Sequence, residues 1–175
     1  KLKKDTIVAT VMSNLGLNKY TRDNGLELLQ TKVGDRYVLE EMLKEGFNLG
    51  GERSGHIILL DYNPTGDGIL TSLMLIKAIL ETNKKASELG DMIKLYPQVL
   101  INAKVDSDKK YDYDKDTSIR EAIEKLEKEF AGNGRVLIRA SGTEPLVRVM
   151  IEGEDQEYIT KKAQEIVDLL EEKLK

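Results

Sequence analysis

The chain's only histidine falls inside a short segment that is rich in glycine and polar side chains. This segment reads Gly50-Gly51-Glu52-Arg53-Ser54-Gly55-His56 and stands directly before an apolar run. In an extended segment Glu52 and Ser54 point the same way, because side chains alternate along it. A carboxylate that accepts and a hydroxyl that donates suit vicinal sugar hydroxyls, and His56 can move a proton or contact a phosphate. The alternative is a glycine-rich turn whose polar surface has no function.

A second polar segment, Arg139-Ala140-Ser141-Gly142-Thr143-Glu144-Pro145, stands between two apolar runs, and Arg148 follows it. Hydroxyl groups and exposed backbone N–H groups in a tight loop form a good anion site. Arg139 and Arg148 flank the loop, and the arginine fork matches the oxygens of a phosphate. The alternative is a polar hairpin loop with two surface arginines. The segment lacks the lysine that follows the last glycine of a Walker loop.

Two further polar segments are weaker candidates. Lys32-Val33-Gly34-Asp35-Arg36 follows a predicted strand, where open α/β sheets bind their ligands, although Asp35 could equally cap a helix. The segment 63–68, Asn-Pro-Thr-Gly-Asp-Gly, is most simply a turn followed by a helix start.

The elements that must position the first segment alternate between strands and helices. Apolar runs and helical periodicity predict strands at 6–12, 26–31 and 56–60 and helices at 14–23, 35–44, 69–80 and 86–93. Such alternation predicts an α/β domain over residues 1–95, a mixed sheet with βα crossovers.

The pattern changes near residue 96. Strands are predicted at 99–105, 135–139 and 146–152, and helices at about 118–130 and 156–174. Ser118 and Glu121 have the spacing of a capping box, and the charged stretch 106–116 is most simply a solvated loop. Residues 96–175 are therefore predicted to form a small α+β domain with the order β-α-β-β-α.

Composition excludes several functional classes. The net charge is −4, aromatic residues make up 5%, and there is no tryptophan, which argues against nucleic-acid binding. No apolar run is long enough for a membrane span, and no signal peptide is recognisable. The absence of cysteine excludes disulfides and thiolate metal sites, and fits a cytoplasmic location. His56 is the only histidine, so no histidine pair can bind a metal, and no metal site is expected. The start without Met is explained by a processed start or, at least as well, by a fragment of a longer protein.

The two motifs together resemble those of a known enzyme family. The segment 51–56 is similar to the sugar-binding loop of the α-D-phosphohexomutases, and the segment 139–145 is similar to their phosphate-binding loop. Both occur in the family's order and at its separation, and the resemblance covers essentially the whole chain. The phrases Thr31–Val38 and Leu146–Met150 are most similar to the bacterial amino-sugar members.

The resemblance implies a four-domain enzyme of which residues 1–95 are the third, sugar-binding domain and residues 96–175 the fourth, phosphate-binding domain. The family's Ser-His-Asn-Pro phosphoserine loop and Asp-Gly-Asp magnesium loop do not occur in this sequence. The chain alone is therefore expected to be inactive. By resemblance, Glu52 and Ser54 bind sugar hydroxyls and His56 supports the reaction near the reacting phosphoryl group. The residues expected to hold the phosphate that is not transferred are Arg139, Ser141, Gly142, Thr143 and Arg148.

The implied reaction is an isomerisation that supplies amino-sugar nucleotide and cell-wall precursors. Glucosamine 6-phosphate and glucosamine 1-phosphate interconvert through a 1,6-bisphosphate, with Mg²⁺ in the full-length enzyme and glucose or glucosamine 1,6-bisphosphate as activator or intermediate. Mannose or glucose phosphates as substrates, or a stand-alone sugar-phosphate binding module, are the alternatives. The implied partners are the hexosamine phosphate and the missing N-terminal domains. Homodimerisation of the full-length protein is left open by the sequence.

Overall fold

The computed structural model describes all 175 residues, which form two compact units, Lys1–Leu95 and Tyr96–Lys175. Each unit has its own sheet and is described by itself. No helix in either unit combines the length and the apolar character needed to cross a membrane.

The first unit contains a four-stranded mixed sheet with the strand order β2-β1-β3-β4. β1 is parallel to both β2 and β3, and β4 is antiparallel to β3. This arrangement confirms the predicted α/β class. The strands are β1 (Thr6–Thr10), β2 (Glu27–Thr31), β3 (Leu49–Gly51) and β4 (Ile57–Leu59), and the helices are α1 (Leu15–Asp23), α2 (Asp35–Glu45), α3 (Gly68–Thr82) and α4 (Ala86–Gly90).

The core of the first unit lies where α2 packs on the sheet. Val8 of β1, Val38 and Met42 of α2, Phe47 and Ile58 form its buried cluster. α2 ends at Gly46, whose φ of +75° is the left-handed conformation that favours glycine after a helix. The chain then turns back at once, and β3 is inserted beside β1 under the buried face of α2.

Helix α3 is strongly apolar, but it buries none of its residues. Five large apolar side chains along it are 50–79% exposed: Ile69, Leu73, Leu75, Ile76 and Leu80. Contiguous apolar surface of this kind is uncommon on a monomeric soluble protein and marks a surface suited to contact with another body.

The second unit contains a three-stranded antiparallel sheet with the order β5-β7-β6 and two helices, which confirms the β-α-β-β-α prediction. Its elements are β5 (Gln98–Lys104), α5 (Thr117–Phe130), β6 (Arg135–Ala140), β7 (Leu146–Glu152) and α6 (Gln156–Lys173). Val147, Val149 and Ile151 alternate along the central strand and join the core that α5 and α6 complete. The residues between them, including Arg148, therefore lie on the opposite face.

The N-terminus of α5 differs from the prediction. Ser118 and Glu121 do not form a capping box; instead Asp116 precedes the helix, and its carboxylate accepts from the backbone N–H groups of Ser118 and Ile119. A charged N-cap satisfies these orphan donors and also interacts favourably with the positive end of the helix dipole.

Candidate functional site

The first polar loop joins β3 to β4 as the turn of a short antiparallel hairpin. The N–H of Glu52 donates to His56 O at 2.8 Å, and the N–H of Gly55 donates to Glu52 O at 3.0 Å. Gly55 has a φ of +103°, which a residue with a side chain adopts only under strain. The segment is therefore a tight turn and not the extended stretch expected from the sequence.

The turn nevertheless brings Glu52, Ser54 and His56 together. Ser54 Oγ lies 3.2 Å from Glu52 Oε2 and 3.0 Å from His56 Nδ1. A hydroxyl has one proton to donate, so when it donates to the carboxylate its oxygen accepts from the Nδ1–H of the imidazole. Glu52 Oε1 accepts from the N–H of Gly34 at 3.2 Å, which joins the loop before α2 to this cluster.

Asp35 adds a second carboxylate to the same cluster. Its Oδ2 lies 4.0 Å from His56 Nε2, and both side chains are about half exposed. Asp35 does not cap α2, since Gly34 holds that position and Asp35 is the first helical residue. On its other side the imidazole lies against Gly66, where a Cβ would come within 2.9 Å of His56 Cδ2. The imidazole thus lies between the Asp35 carboxylate and the Ser54 hydroxyl on a polar, hydrogen-bonding surface.

Asp67 has a structural role. Its carboxylate caps α3 by accepting from the N–H of Leu70 at 2.9 Å, and Asn63 donates to it at 3.3 Å. These hydrogen bonds, the one from Leu70 first, lower the pKa of Asp67. Nowhere in the structure do three His, Cys, Asp or Glu side chains meet as metal ligands.

The second polar loop joins β6 to β7 and is flanked by a pair of like charges. Arg139 and Arg148 are directly opposite in the strand register, on the sheet face that points away from the helices. Asn102 of β5 continues this polar row on the other side of Arg148. Like charges directly across a ladder are destabilising unless an anion lies between them.

Arg148 is only partly satisfied within the chain. One terminal nitrogen donates to Glu144 Oε2 at 3.2 Å, while Nε is buried and has no hydrogen-bond partner. A buried donor without an acceptor costs free energy. The two arginines carry more positive charge than Glu144 neutralises, which makes this face of the sheet a candidate anion site.

The loop itself is shaped by Ser141, which is 4% exposed. Its N–H donates to Leu146 O at 2.8 Å, and its Oγ accepts from the N–H of Glu144 at 3.3 Å. Gly142 and Thr143 are exposed, and no protein group accepts from their N–H groups. Ser141 thus holds the turn, while Gly142 and Thr143 present donors to solvent.

Lys110 is a residue of this site that the sequence did not reveal. The stretch 106–116 is a series of turns, as expected, but it is not simply solvated, because Lys110 is 7% exposed. Its Nζ donates to Ser141 O at 2.8 Å and to Glu144 O at 3.4 Å. The contact spans 31 positions of the chain, so no local pattern signals it.

The structure brings the expected residues together in two groups, one in each unit. Glu52, Ser54 and His56 form the first, joined by Asp35. The second consists of Arg139, Ser141, Gly142, Thr143 and Arg148, joined by Lys110.

Curated relatives match the chain from end to end. Phosphoglucosamine mutase of Caldicellulosiruptor saccharolyticus is 60% identical over 174 residues, which is 99% of this chain and 39% of the relative. The phosphoglucosamine mutase of Clostridium tetani is 58% identical over 175 residues, all of this chain and 39% of the relative. The chain thus spans about two fifths of the length of these proteins.

Solved structures share the fold at low sequence identity. N-acetylphosphoglucosamine mutase of Aspergillus fumigatus superposes with a TM-score of 0.78 and 20% identity, covering 95% of this chain and 38% of that one. The same enzyme in complex with GlcNAc-6P and magnesium gives a TM-score of 0.76 and 20% identity, covering 97% of this chain and 42% of that one.

Two family models divide the chain between them. Residues 1–96 match the phosphoglucomutase/phosphomannomutase alpha/beta/alpha domain III, and residues 100–169 match the C-terminal domain of the same family. This confirms the family predicted from the two loop motifs. The chain belongs to the phosphoglucomutase/phosphomannomutase family, of which it comprises domain III and the C-terminal domain.

Proposed function

We propose that this chain is the substrate-binding part of a phosphoglucosamine mutase, which interconverts glucosamine 6-phosphate and glucosamine 1-phosphate. Residues 1–95 bind the sugar, and residues 96–175 bind the phosphate that is not being transferred. The phosphorylated serine that exchanges its phosphoryl group with the sugar belongs to the remainder of the protein. The identity of 54–60% to phosphoglucosamine mutases over the whole chain supports this assignment.

The observation that carries the proposal is the excess of positive charge beside the second loop. Arg139 and Arg148 face each other across β6 and β7, and Arg148 Nε is a buried donor without an acceptor. A phosphate placed here accepts from both guanidinium groups and from the exposed N–H groups of Gly142 and Thr143. Its negative charge removes the repulsion between the arginines.

The first loop supplies the contacts to the sugar. Glu52 and Ser54, with oxygens 3.2 Å apart, offer an acceptor and a hydroxyl to two neighbouring sugar hydroxyls. The choice of glucosamine phosphate over mannose or glucose phosphate rests on the 54–60% identity to phosphoglucosamine mutases over the whole chain.

A fixed phosphate site explains how one active centre handles both ends of the substrate. The bisphosphate presents either of its phosphates to Arg139 and Arg148, and the other is then placed for transfer. Catalysis of phosphoryl transfer is mostly positioning and electrostatic stabilisation, and both loops provide positioning. His56, hydrogen-bonded through Nδ1 to Ser54, keeps Nε2 available on the exposed side to contact a phosphate oxygen or exchange a proton. No step is assigned to a metal held by this chain.

The proposal is tested by titrating the ¹⁵N-labelled chain with glucosamine 6-phosphate. We expect amide shifts at 139–148 and 50–56, with binding weakened about tenfold or more by Arg139→Ala, because a charge-assisted hydrogen bond contributes roughly 1.5–3 kcal/mol. Arg120→Ala, which removes an exposed arginine of α5, is the matched control and leaves the affinity unchanged. Amide shifts that are equal in wild type and Arg139→Ala would show that the phosphate does not bind at this loop.

Parallel titrations with mannose 6-phosphate and inorganic phosphate separate the alternatives. Tighter binding of glucosamine 6-phosphate, with the difference confined to signals at 50–56, supports the amino sugar. Equal affinity for the two sugars would favour the broader mutase activity.

A turnover assay tests whether the phosphoryl donor lies outside this chain. The purified chain, supplied with magnesium and glucose 1,6-bisphosphate, is expected to show no mutase activity. Robust turnover would contradict the assignment of the phosphoryl donor to another part of the protein, and an upstream reading frame without catalytic domains would favour a stand-alone binding module.

A further inference from the structure

Lys110 is a buried cation whose partners are backbone carbonyls. Nζ donates to Ser141 O at 2.8 Å and to Glu144 O at 3.4 Å, and it lies 5.2 Å from the centroid of the Tyr111 ring. The adjacent Lys109 is partly exposed: its ammonium lies 3.0 Å from the carboxylate of Asp106 and donates to Lys175 O at 2.7 Å. The charge of Lys109 is thus neutralised by a carboxylate, while the ammonium of Lys110 points into the loop that joins β6 to β7.

A buried ammonium without a carboxylate partner is costly, because its lost hydration is only partly replaced by carbonyl dipoles. The cost falls when an anion binds nearby in the same poorly solvated region, where charges interact more strongly than in water. The loop that receives the Lys110 charge is the one that Arg139 and Arg148 flank. The ligand's phosphate is therefore the natural counter-ion of Lys110.

The geometry also shows how the charge reaches the ligand. The peptide bonds of the chain are all trans, so the C=O of Ser141 and the N–H of Gly142 point in opposite directions from one planar group. Since the C=O points at Lys110, the N–H points away from it, toward the exposed side of the loop. A cation bound to the oxygen polarises this peptide and strengthens its N–H as a donor.

We propose that Lys110 is a positioning residue of the phosphate site: it fixes the Ser141–Glu144 turn from beneath, polarises the Gly142 N–H, and supplies buried positive charge that a bound phosphate neutralises. The proposal rests on the function assigned above to the 139–148 loop. It adds a residue from a different segment of the chain, between β5 and α5.

The test compares Lys110→Met, which keeps the unbranched apolar stem of the side chain and removes its charge, with Lys109→Met, which removes one charge from the adjacent position. The affinity for inorganic phosphate and for glucosamine 6-phosphate is measured by amide titration. We expect at least tenfold weaker binding for Lys110→Met and no change for Lys109→Met. In the ligand-free protein, the Gly142 amide proton of Lys110→Met should move upfield, as a less polarised N–H does.

Restoring the ammonium distinguishes charge from packing. The chain has no cysteine, so Lys110→Cys creates one unique thiol that can be alkylated in denaturant before refolding. Aminoethylation with 2-bromoethylamine rebuilds a lysine-like ammonium and is expected to restore binding. The neutral product formed with iodoacetamide is expected to remain weak. Equal binding by both products would overturn the proposal.

A measurement on the unmodified protein covers the case in which the variants do not fold. The ¹³Cε signal of Lys110 should move during a phosphate titration with the same dissociation constant as the Gly142 amide. A signal that stays fixed while Gly142 moves would overturn the role of Lys110 and leave the phosphate site intact. Absence of any phosphate binding by wild type would overturn the phosphate site itself, and the role of Lys110 with it.

Discussion

Gly50 allows α2 to approach β3 closely, and replacing it with alanine should disturb both the stability of the first unit and its 52–56 turn. A Cβ at this position would lie 2.5 Å from Met42 Sδ, 2.7 Å from Val38 Cγ1 and 3.0 Å from the carbonyl oxygen of Val8. Both side chains are fully buried, and the carbonyl belongs to the neighbouring strand, so no group can move aside freely.

The size of the effect follows from these contacts. Overpacking a close-packed core by one methyl costs roughly 1–3 kcal/mol. For a unit of this size, a loss of about 2 kcal/mol lowers the midpoint of thermal unfolding by about 10 °C. Because β3 leads through Gly51 into the 52–56 turn, displacement of β3 should also shift the amide signals of Gly55 and His56.

The assay is thermal unfolding followed by amide signals. With Gly50→Ala, the signals of residues 1–95 should disappear at a lower temperature than in wild type, while those of residues 96–175 serve as an internal reference. Gly68→Ala is the matched control, because nothing lies within 4 Å of its Cβ position and its backbone is not strained. In a Met42→Ala background, where the sulfur is absent, the added cost of Gly50→Ala should be smaller. An unchanged midpoint, or an equal cost in both backgrounds, would refute the reasoning.

Three further predictions concern the second unit, and each is checked by unfolding followed through its amide signals. Hydrogen bonds from the Ser118 hydroxyl and then the Ile119 N–H lower the pKa of Asp116. Its carboxylate therefore contributes stability that is present above about pH 4 and is lost as the pH falls through the lowered pKa. Asp116→Asn should reduce this loss of stability between about pH 5 and pH 2, and an unchanged dependence of stability on pH would contradict the prediction. Leu170→Ala, in a fully buried position of α6, should cost about 2–5 kcal/mol, and a cost below 1 kcal/mol would show that the core collapses around the deletion. Ala131 ends α5 with a φ of +47°, so Ala131→Gly should raise the unfolding midpoint by a few degrees, whereas Ala122→Gly within the helix should lower it.

The sequence predicts the regular elements well where local chemistry and burial agree. Helix α2 carries Val38 and Met42 on one face and ends at a glycine, and the structure shows both features. The alternation of apolar residues along β7 likewise corresponds to the buried face of the second sheet. In each case one periodicity specifies both the element and the face that it buries.

Strand β3 could not be predicted in this way. Its three residues include Gly50 and Gly51 and no β-branched side chain, so its intrinsic preference for a strand is low. It is extended because β1 and β4 pair with it on either side. The glycines that indicated a ligand-binding loop serve here, in the case of Gly50, to let α2 approach.

The candidate site shows the same limit. The grouping of Glu52, Ser54 and His56 was expected from an extended segment, but the tight turn at Gly55 is what brings these side chains together. Asp35 belongs to the cluster of the first unit and Lys110 to that of the second. Each is placed there by a tertiary contact that no spacing in the sequence encodes. Sequence motifs predicted which polar residues of each loop lie together, while the residues that support them depend on the fold.

The exposure of α3 has a consequence for the calorimetry of this chain. Unfolding changes the heat capacity mainly by bringing apolar surface into contact with water, at about 0.45 cal/mol/K for each Å². The large apolar side chains of α3 are already 50–79% exposed before unfolding begins, so they add little to this change. The first unit should therefore have a smaller heat-capacity increment per residue than the second, and a flatter dependence of its unfolding free energy on temperature. Covering α3 with another protein surface would steepen that curve.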